Sequence, residues 1–460
     1  MSVLLQRNVI AYNRGISFCK LSFIRKHSAG TVVQKESADD LPVYEYGLSG
    51  AGDRKLYVWG LVEHGGLGVH HLLKKNRFPP KYYQRPSSHN LAHICKITDI
   101  ACGYGFSLFA VKKDKVRLLG CGINTDGQIG YQAPRRDHPL GLVLTPSPIE
   151  LVVRGRGEQG GDVRVVRMAA GRAHSLVLTA EHGLFTLGNN AHGQCARAVV
   201  QGEDYAQSHK GGSPHNIRHL GGQQITDVCC GQDHSLMLTA DGVVWACGWG
   251  VDGQTGQEGR LEAINDRPKP VACGDVKGQR IVKMASKGDF VLVLSDEGDV
   301  FGWGNNEYRQ VLGDAAGDRL QLHTPVHLSQ LRQVAGRITD IAAGGSFAMA
   351  LDESGCVWVW GMGVLGGGPQ LMRCSAPHPL PRALFGGAEV AVQGVGCGLY
   401  SMWAVTVQGH LYMWGKNKAA SLGLGHTKDQ FFPFKVGVGA HVLKVDSGVD
   451  HTLALCKPFA

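Results

Sequence analysis

The chain has thirteen cysteines but no Cys-x-x-Cys pair. Zinc ribbons and dithiol redox centres need that spacing, so neither is expected. No G-x-x-x-x-G-K-[ST] segment occurs, which excludes nucleotide binding through a P-loop. The 65 glycines follow no collagen-like period and form no Gly/Ser linker. The uncharged stretch Val390 to Gly415 has the length of a membrane span, but glycines interrupt it. Two buried strands are expected there, and no transmembrane segment. Acids are missing from Met1–Lys35 and again from His64 to Lys96.

The glycines belong to a repeat. Its clearest copy is Gly231 to Gly256, GQDHSLMLTADGVVWACGWGVDGQTG. Ser235 to Thr239 alternate polar and apolar, Ala240-Asp241-Gly242 make a tight turn, and Val243 to Cys247 return as a second apolar strand. Asp-Gly supplies the positive φ that a hairpin turn requires. A lone hairpin cannot bury both faces, so it needs copies of itself. The loop-and-strand half recurs seven times, around Gly103, Gly171, Gly231, Gly288, Gly344, Gly398 and Gly448. The copy at Lys287-Gly288-Asp289-Phe290 is degenerate. The strand half also recurs seven times, closing on Trp59-Gly60, Leu119-Gly120, Leu187-Gly188, Cys247-Gly248, Trp303-Gly304, Trp360-Gly361 and Trp414-Gly415.

The halves are out of phase at the ends. The repeat enters on a strand-Trp-Gly half (Leu56 to Gly60) and leaves on a Gly-x-Asp-His half (Gly448 to Leu455). Pairing the two completes one composite blade and closes a ring without free edges. An all-β, seven-bladed propeller over 49–460 is therefore expected. Two G-x-G-x-x-G matches, at Gly248 and Gly361, fall in repeat register and open no helix, so they are turns. Cys102, Cys230 and Cys397 stand where other copies have Ala170 and Ala343, which marks packing sites carrying reduced thiols.

These alternating segments, best seen in Leu187-Gly188-Asn189-Asn190-Ala191-His192-Gly193-Gln194 and in Gly231 to Gly256, resemble the RCC-type (regulator of chromosome condensation) repeat. The resemblance covers Leu56 to Leu455 and is specific for fold more than for function.

The 47 Lys and Arg exceed the 38 Asp and Glu by nine, and six of those cations lie in Met1–Lys35. There they interleave with apolar residues as in a mitochondrial transit peptide, the alternative being a frayed basic tail. The rest of the chain is barely basic, with one local exception. From His64 to Lys96, Lys74, Lys75, Arg77, Lys81 and Arg85 accompany Tyr82 and Tyr83. Cations with interleaved aromatics suit phosphate contact and base stacking, so this inter-strand insertion is either an RNA contact or a solvated basic loop.

His174, His234 and His451 recur at one repeat position, with Asp233 and Asp450 before two of them. Equivalent loops of a propeller gather on one face, so these groups converge near the channel mouth. Three roles remain open: an acid–base or metal site, a hydrogen bond that fixes each loop within its blade, or contact with a partner. The resemblance favours contact, since one face of RCC-type propellers engages a small GTPase through loop Asp and His residues. Carried over, those positions are Asp233, His234, Asp450 and His451, with His174 in a third blade. Phe106 and Phe347 replace His in two blades, a departure that speaks against the nuclear GTPase Ran.

With the presequence, the resemblance is to mitochondrial members of the family. It implies a non-catalytic platform in the mitochondrial matrix, associated with large-subunit ribosomal RNA and pseudouridine synthases in ribosome assembly. The alternative it implies is nucleotide exchange on a dynamin-like GTPase of inner-membrane fusion, with peripheral membrane association. Neither role requires a cofactor.

Overall fold

Strand formation follows the apolar alternation of each repeat. In the computed structural model, described over residues 54–69, 80–113, 116–133, 141–151, 163–208, 210, 214–258, 262–311 and 319–458, the loop glycine joins an inner strand to a second strand. A hairpin turn such as Ala240-Asp241-Gly242 leads into the third. Blade 1 runs Lys96–Cys102, Phe106–Lys113, Val116–Ile123, Leu142–Pro148 from channel to rim. Blades 2 to 6 begin with the inner strands Val165–Ala170, Gln223–Cys230, Ile281–Ala285, Ile338–Ala343 and Val392–Cys397. Blade 3 carries an extra two-residue strand, His219–Leu220, and is five-stranded; the others have four. The expected presequence at 1–35 lies outside the described residues.

Blade 7 is composite. Its inner strands His441–Ser447 and His451–Lys457 come from the C-terminal end, and its outer strands Lys55–Leu61 and Tyr82–Ser88 from the N-terminal side. Lys55 pairs with Cys456 and Gly60 with His451, so six antiparallel pairs close the ring as expected. The stretch Val390 to Gly415 forms three strands rather than two: Val392–Cys397, Ser401–Thr406 and Leu411–Gly415. No described helix is long and apolar enough to cross a membrane.

One register expectation needs correction. The blade-1 counterpart of Trp-Gly is Cys121-Gly122, not Leu119-Gly120. Gly122 faces Phe106, as Gly188 faces His174 and Gly248 faces His234. The glycine is required there. Gly248 has φ +106°, and a Cβ on it would sit 2.5 Å from the Asp233 carbonyl oxygen and 2.7 Å from the His234 Cα.

Core clusters lie between neighbouring blades, so each blade buries both faces against the next. At nearly every junction a buried side chain of one blade donates to a loop carbonyl of the blade before it. Ser107 Oγ donates to Gly66 O, Ser175 Oγ to Gln128 O and Ser235 Oγ to Gln194 O, each at 2.7 Å. Indoles take over in other blades: Trp303 Nε1 to Gln254 O (2.9 Å), Trp360 Nε1 to Gln310 O (2.8 Å) and Trp59 Nε1 to Ser421 O (2.7 Å). Trp414 is the exception, its Nε1 buried with no partner. The blade-5 loop runs from Gly361 to Gly366, three residues shorter than Gly248 to Gly256, and lacks the accepting carbonyl.

The inner strands carry a bulge at one shared position, and the residue after it is Asp99, Arg167, Asp227, Lys283, Asp340, Gly394 or Lys444. Charges therefore alternate around the channel, with Gly394 the neutral member. Lys444 pairs with Asp99, Arg167 with Asp227 (3.6 Å) and Lys283 with Asp340. Toward the loop face the next channel-facing residues are small (Ala101, Ala169, Cys229, Ala285, Ala342, Gly396), except for Asp446.

Candidate partner-binding face

The glycine loops form a collar held by backbone bonds between blades. Tyr104 N donates to Gly171 O (3.3 Å), Arg172 N to Gln232 O (3.0 Å), Gln232 N to Gly288 O (3.2 Å) and Gly345 N to Leu399 O (3.0 Å). The Gly-x-x-His pattern has a steric cause. A Cβ on Gly171 or Gly231 would overlap the ring of His174 or His234, and one on Gly103 or Gly344 the ring of Phe106 or Phe347. Five of the seven copies thus set a planar ring, His or Phe, over the glycine; blade 6 has Ser401 at that position and blade 4 has Lys287 in place of the glycine.

All three histidines are fully buried. His174 Nε2 meets Ser235 Oγ at 3.0 Å, His234 Nε2 meets Ser286 Oγ at 3.2 Å, and His451 Nε2 meets Ser107 Oγ at 2.7 Å. Ser235 and Ser286 spend their protons on Gln194 O and Phe290 O, so the imidazoles donate through Nε2. Their Nδ1 atoms have no partner. Burial drives His174 down to about 4 and His234 to about 3, the neutral form in both. These rings staple adjacent blades, and a partner approaching the face does not touch them. The bond they make crosses to the next blade rather than staying within their own.

Asp450 is held from both sides. His451 Nδ1 lies 2.8 Å from Oδ1 and His64 Nδ1 lies 2.5 Å from Oδ2. Burial alone would raise this carboxyl, but bonds from the two histidines outweigh it and hold it well below the usual carboxylate range. Ser107, His451 and Asp450 have the connectivity of a hydrolytic triad. Ser107 is fully buried and donates to Gly66 O, so it offers no nucleophile to a substrate. Among the described residues no His/Cys/Asp/Glu group could hold a metal ion.

Asp233 receives a two-point contact from Arg172, Nε to Oδ1 at 3.1 Å and an outer nitrogen to Oδ2 at 2.6 Å. Arg172 is 53% exposed against 15% for Asp233, so the guanidinium is what the solvent meets. Sequence reasoning missed a third carboxylate. Asp289 occupies the register position of Asp233 and Asp450 in the degenerate copy. It accepts from Gln232 Nε2 (2.6 Å), and Gln254 Nε2 lies 3.5 Å away. Burial, with help from Asp252 and Asp233, pushes it up to about 6. Its position in the repeat was the available signal; the lost glycine and histidine hid it. Arg172 and Gln232 were missed because their roles arise only between blades, and His64 because its partner Asp450 lies 386 positions away in the same composite blade.

Lys74, Lys75 and Arg77, three of the expected RNA contacts, lie outside the described residues. The remainder do not form a loop. Tyr82–Ser88 is the rim strand of blade 7, and Tyr83 packs against two core clusters, which removes its ring from stacking. Arg85 is exposed beside Gly425 of blade 6, and Lys81 Nζ stands 5.4 Å from the Tyr82 ring centre.

A family model described as the RCC1-like domain matches residues 202–458. A mouse protein named RCC1-like G exchanging factor-like protein is 40% identical over 440 residues, covering 92% of each chain. The crystal structure of human WBSCR16 superposes with TM-score 0.79 at 37% identity, over 88% of this chain and all of that one. Yeast Prp20p, at 20% identity and TM-score 0.67, covers 90% of this chain and 94% of its own and shares the fold.

Proposed function

The chain belongs to the RCC1-like family, and from that premise we propose that it is a non-catalytic partner-binding propeller that promotes nucleotide release from a GTPase. The observation that carries this reading is the carboxylate set at one register position, Asp233, Asp289 and Asp450, each fixed by neighbours at the channel mouth. A nucleotide-free GTPase presents a lysine and a nest of backbone N–H groups stripped of their phosphates. Preorganised carboxylates attract that state, while bound phosphates repel them. The differential affinity has the sign needed to shift the population toward the empty form.

The test is release of a fluorescent GDP analogue from mitochondrial GTPases, including the dynamin-like enzyme of inner-membrane fusion. Wild-type protein accelerates release. Asp233→Asn combined with Asp289→Asn lowers the acceleration at least about tenfold while circular dichroism stays native. Release that is unaffected by these changes across every GTPase tried removes the proposal.

A second reading, a platform for large-subunit ribosomal RNA and its pseudouridine synthases, has one observation in its favour. Lys81 and Arg85 are exposed on and beside the rim strand Tyr82–Ser88, with Tyr82 half-buried between them. Charge reversal at Lys81 and Arg85 then weakens RNA crosslinking and flattens its salt dependence. The matrix location proposed for both roles rests on the composition of Met1–Lys35. Import of a reporter fused to those residues tests it.

A further inference from the structure

Two residues break the pattern of the channel wall, and they find each other. Lys287 stands where other blades have the collar glycine, and Asp446 where other blades have Ala, Cys or Gly. Lys287 Nζ lies 3.1 Å from Asp446 Oδ1 and donates to Cys102 O at 3.1 Å. Asp446 Oδ2 accepts from Cys102 N at 2.8 Å, and Tyr104 Oη donates to Lys287 O at 3.3 Å. Lys287 belongs to blade 4, Asp446 to blade 7, and Cys102 and Tyr104 to blade 1. In a ring of seven, blade 4 faces the junction of blades 7 and 1. The lysine therefore crosses the channel at its loop-face mouth and lands where composite blade 7, the blade that closes the ring, packs against blade 1.

The channel behind it, about 520 Å³, is lined by Met168, Cys229, Lys283, Trp403 and Lys444 among others. Its charges are matched among themselves: Lys444 with Asp99, Arg167 with Asp227, Lys283 with Asp340, Lys287 with Asp446. Such a wall has no charge to offer a ligand and reads as a brace.

We infer that Lys287 is a positioning residue that spans the channel and fixes the distance between the two halves of the carboxylate face. One half is Asp233 and Asp289, the latter two residues from Lys287. The other is Asp450 with His64, on the seam side. This deepens the GTPase reading and rests on it for its function. A partner that must meet both halves at once needs their spacing set before it arrives, because ordering them on binding would subtract from affinity. The brace is a partly buried ion pair, and loss of one member leaves the other without its counter-charge in a partly desolvated site.

The experiment compares Lys287→Met, Asp446→Asn and the double variant in the full chain, by hydrogen–deuterium exchange and by GDP-analogue release. Each single variant exchanges at least about threefold faster in both 103–105 and 448–450, across the channel from the substitution at 287. The double variant is no faster than Lys287→Met alone, because the pair acts as a unit. Exchange changes confined to 286–290, or additive effects in the double, overturn the brace. Acceleration of release falls in step with the loops at a temperature below the melting transition of every variant. Normal release with loosened loops also overturns the positioning role. If wild-type protein releases nucleotide from no GTPase, the function reading fails while the exchange data still decide the brace.

Discussion

Replacing Trp303 or Trp360 with Phe keeps a ring in the core and deletes one donor. The carbonyls of Gln254 and Gln310, reached at 2.9 and 2.8 Å, are then left without the indole. Both indoles are fully buried, so the desolvated acceptor costs about 1–3 kcal/mol, with a further cost for lost ring volume. Trp414→Phe provides the internal control. It loses the same volume at the same register position, but its Nε1 makes no bond, and removing a buried unsatisfied donor is if anything favourable. Urea unfolding followed by far-UV circular dichroism reads the difference in midpoint at constant m. Trp303→Phe and Trp360→Phe should each be about 1–2 kcal/mol less stable than Trp414→Phe. If Trp414→Phe is equally or more destabilising, ring volume rather than the indole bond governs these junctions and the reasoning fails.

Acid stability should report the buried histidines. Unfolded rings protonate near 6.5 while folded His174 and His234 resist to about 4 and about 3, so the unfolded chain binds more protons between those values. Stability then falls as pH drops from about 6.5 toward 4, by about 3 kcal/mol for each ring. His234→Phe, the residue its counterparts have at Phe106, Phe290 and Phe347, should flatten that limb by roughly half in pH-dependent urea melts. Within one strand, Gly394→Ala and Gly396→Ala should have opposite signs. A Cβ at 394 meets only Asp340 Oδ2, at 3.8 Å, so stability rises by about 0.4–1 kcal/mol. A Cβ at 396 overlaps the Trp403 ring, so that variant loses about 1–3 kcal/mol in the same assay.

The fold was legible because its steric rules are local and repeated. Gly231 under His234 and Gly248 opposite it recur with little change, and the out-of-phase ends announce the closure between Lys55–Leu61 and His451–Lys457. Where a copy drifts, the signal misleads. Leu119-Gly120 imitates the motif that Cys121-Gly122 fills, and the loss of glycine and histidine around Asp289 concealed a carboxylate in register. The site was less legible, because its chemistry is made between blades. Nothing in the sequence near Asp233 names Arg172, nor does anything near Lys287 name Asp446, 159 positions later. The recurring Asp-His pairs invited a reading as surface contacts. Instead most copies pack a ring over the loop glycine, and that packing takes the histidines out of solvent.

A ring closed by its chain ends is usually expected to open at the seam, yet the bonding here places the weak junction elsewhere. The seam lies inside blade 7, where Lys55–Leu61 pairs with His451–Lys457 at six positions, and the adjoining junction with blade 1 adds the Lys444–Asp99 pair, the Cys102–Asp446 bond, the His451–Ser107 bond and Ser107 on Gly66 O. Between blades 5 and 6 the shortened loop removes the carbonyl that every other junction uses, leaving Trp414 without a partner. Gly394 also leaves the ring of charges without an ion pair there, because alternation cannot close on an odd number of positions. Trp403 fills the space over Gly396 where other blades have Leu or Met. What remains at that junction is packing, the Val395 N to Asp340 Oδ2 bond at 3.1 Å and three backbone bonds, Gly345 N to Leu399 O, Gly368 N to Phe431 O and Val392 N to Gly355 O. Native-state hydrogen exchange in low denaturant should therefore release amides of Val392–Cys397 before those of Lys55–Leu61. Earlier release at Lys55–Leu61 would mean that chain connectivity, and not the count of buried bonds, decides where the propeller opens.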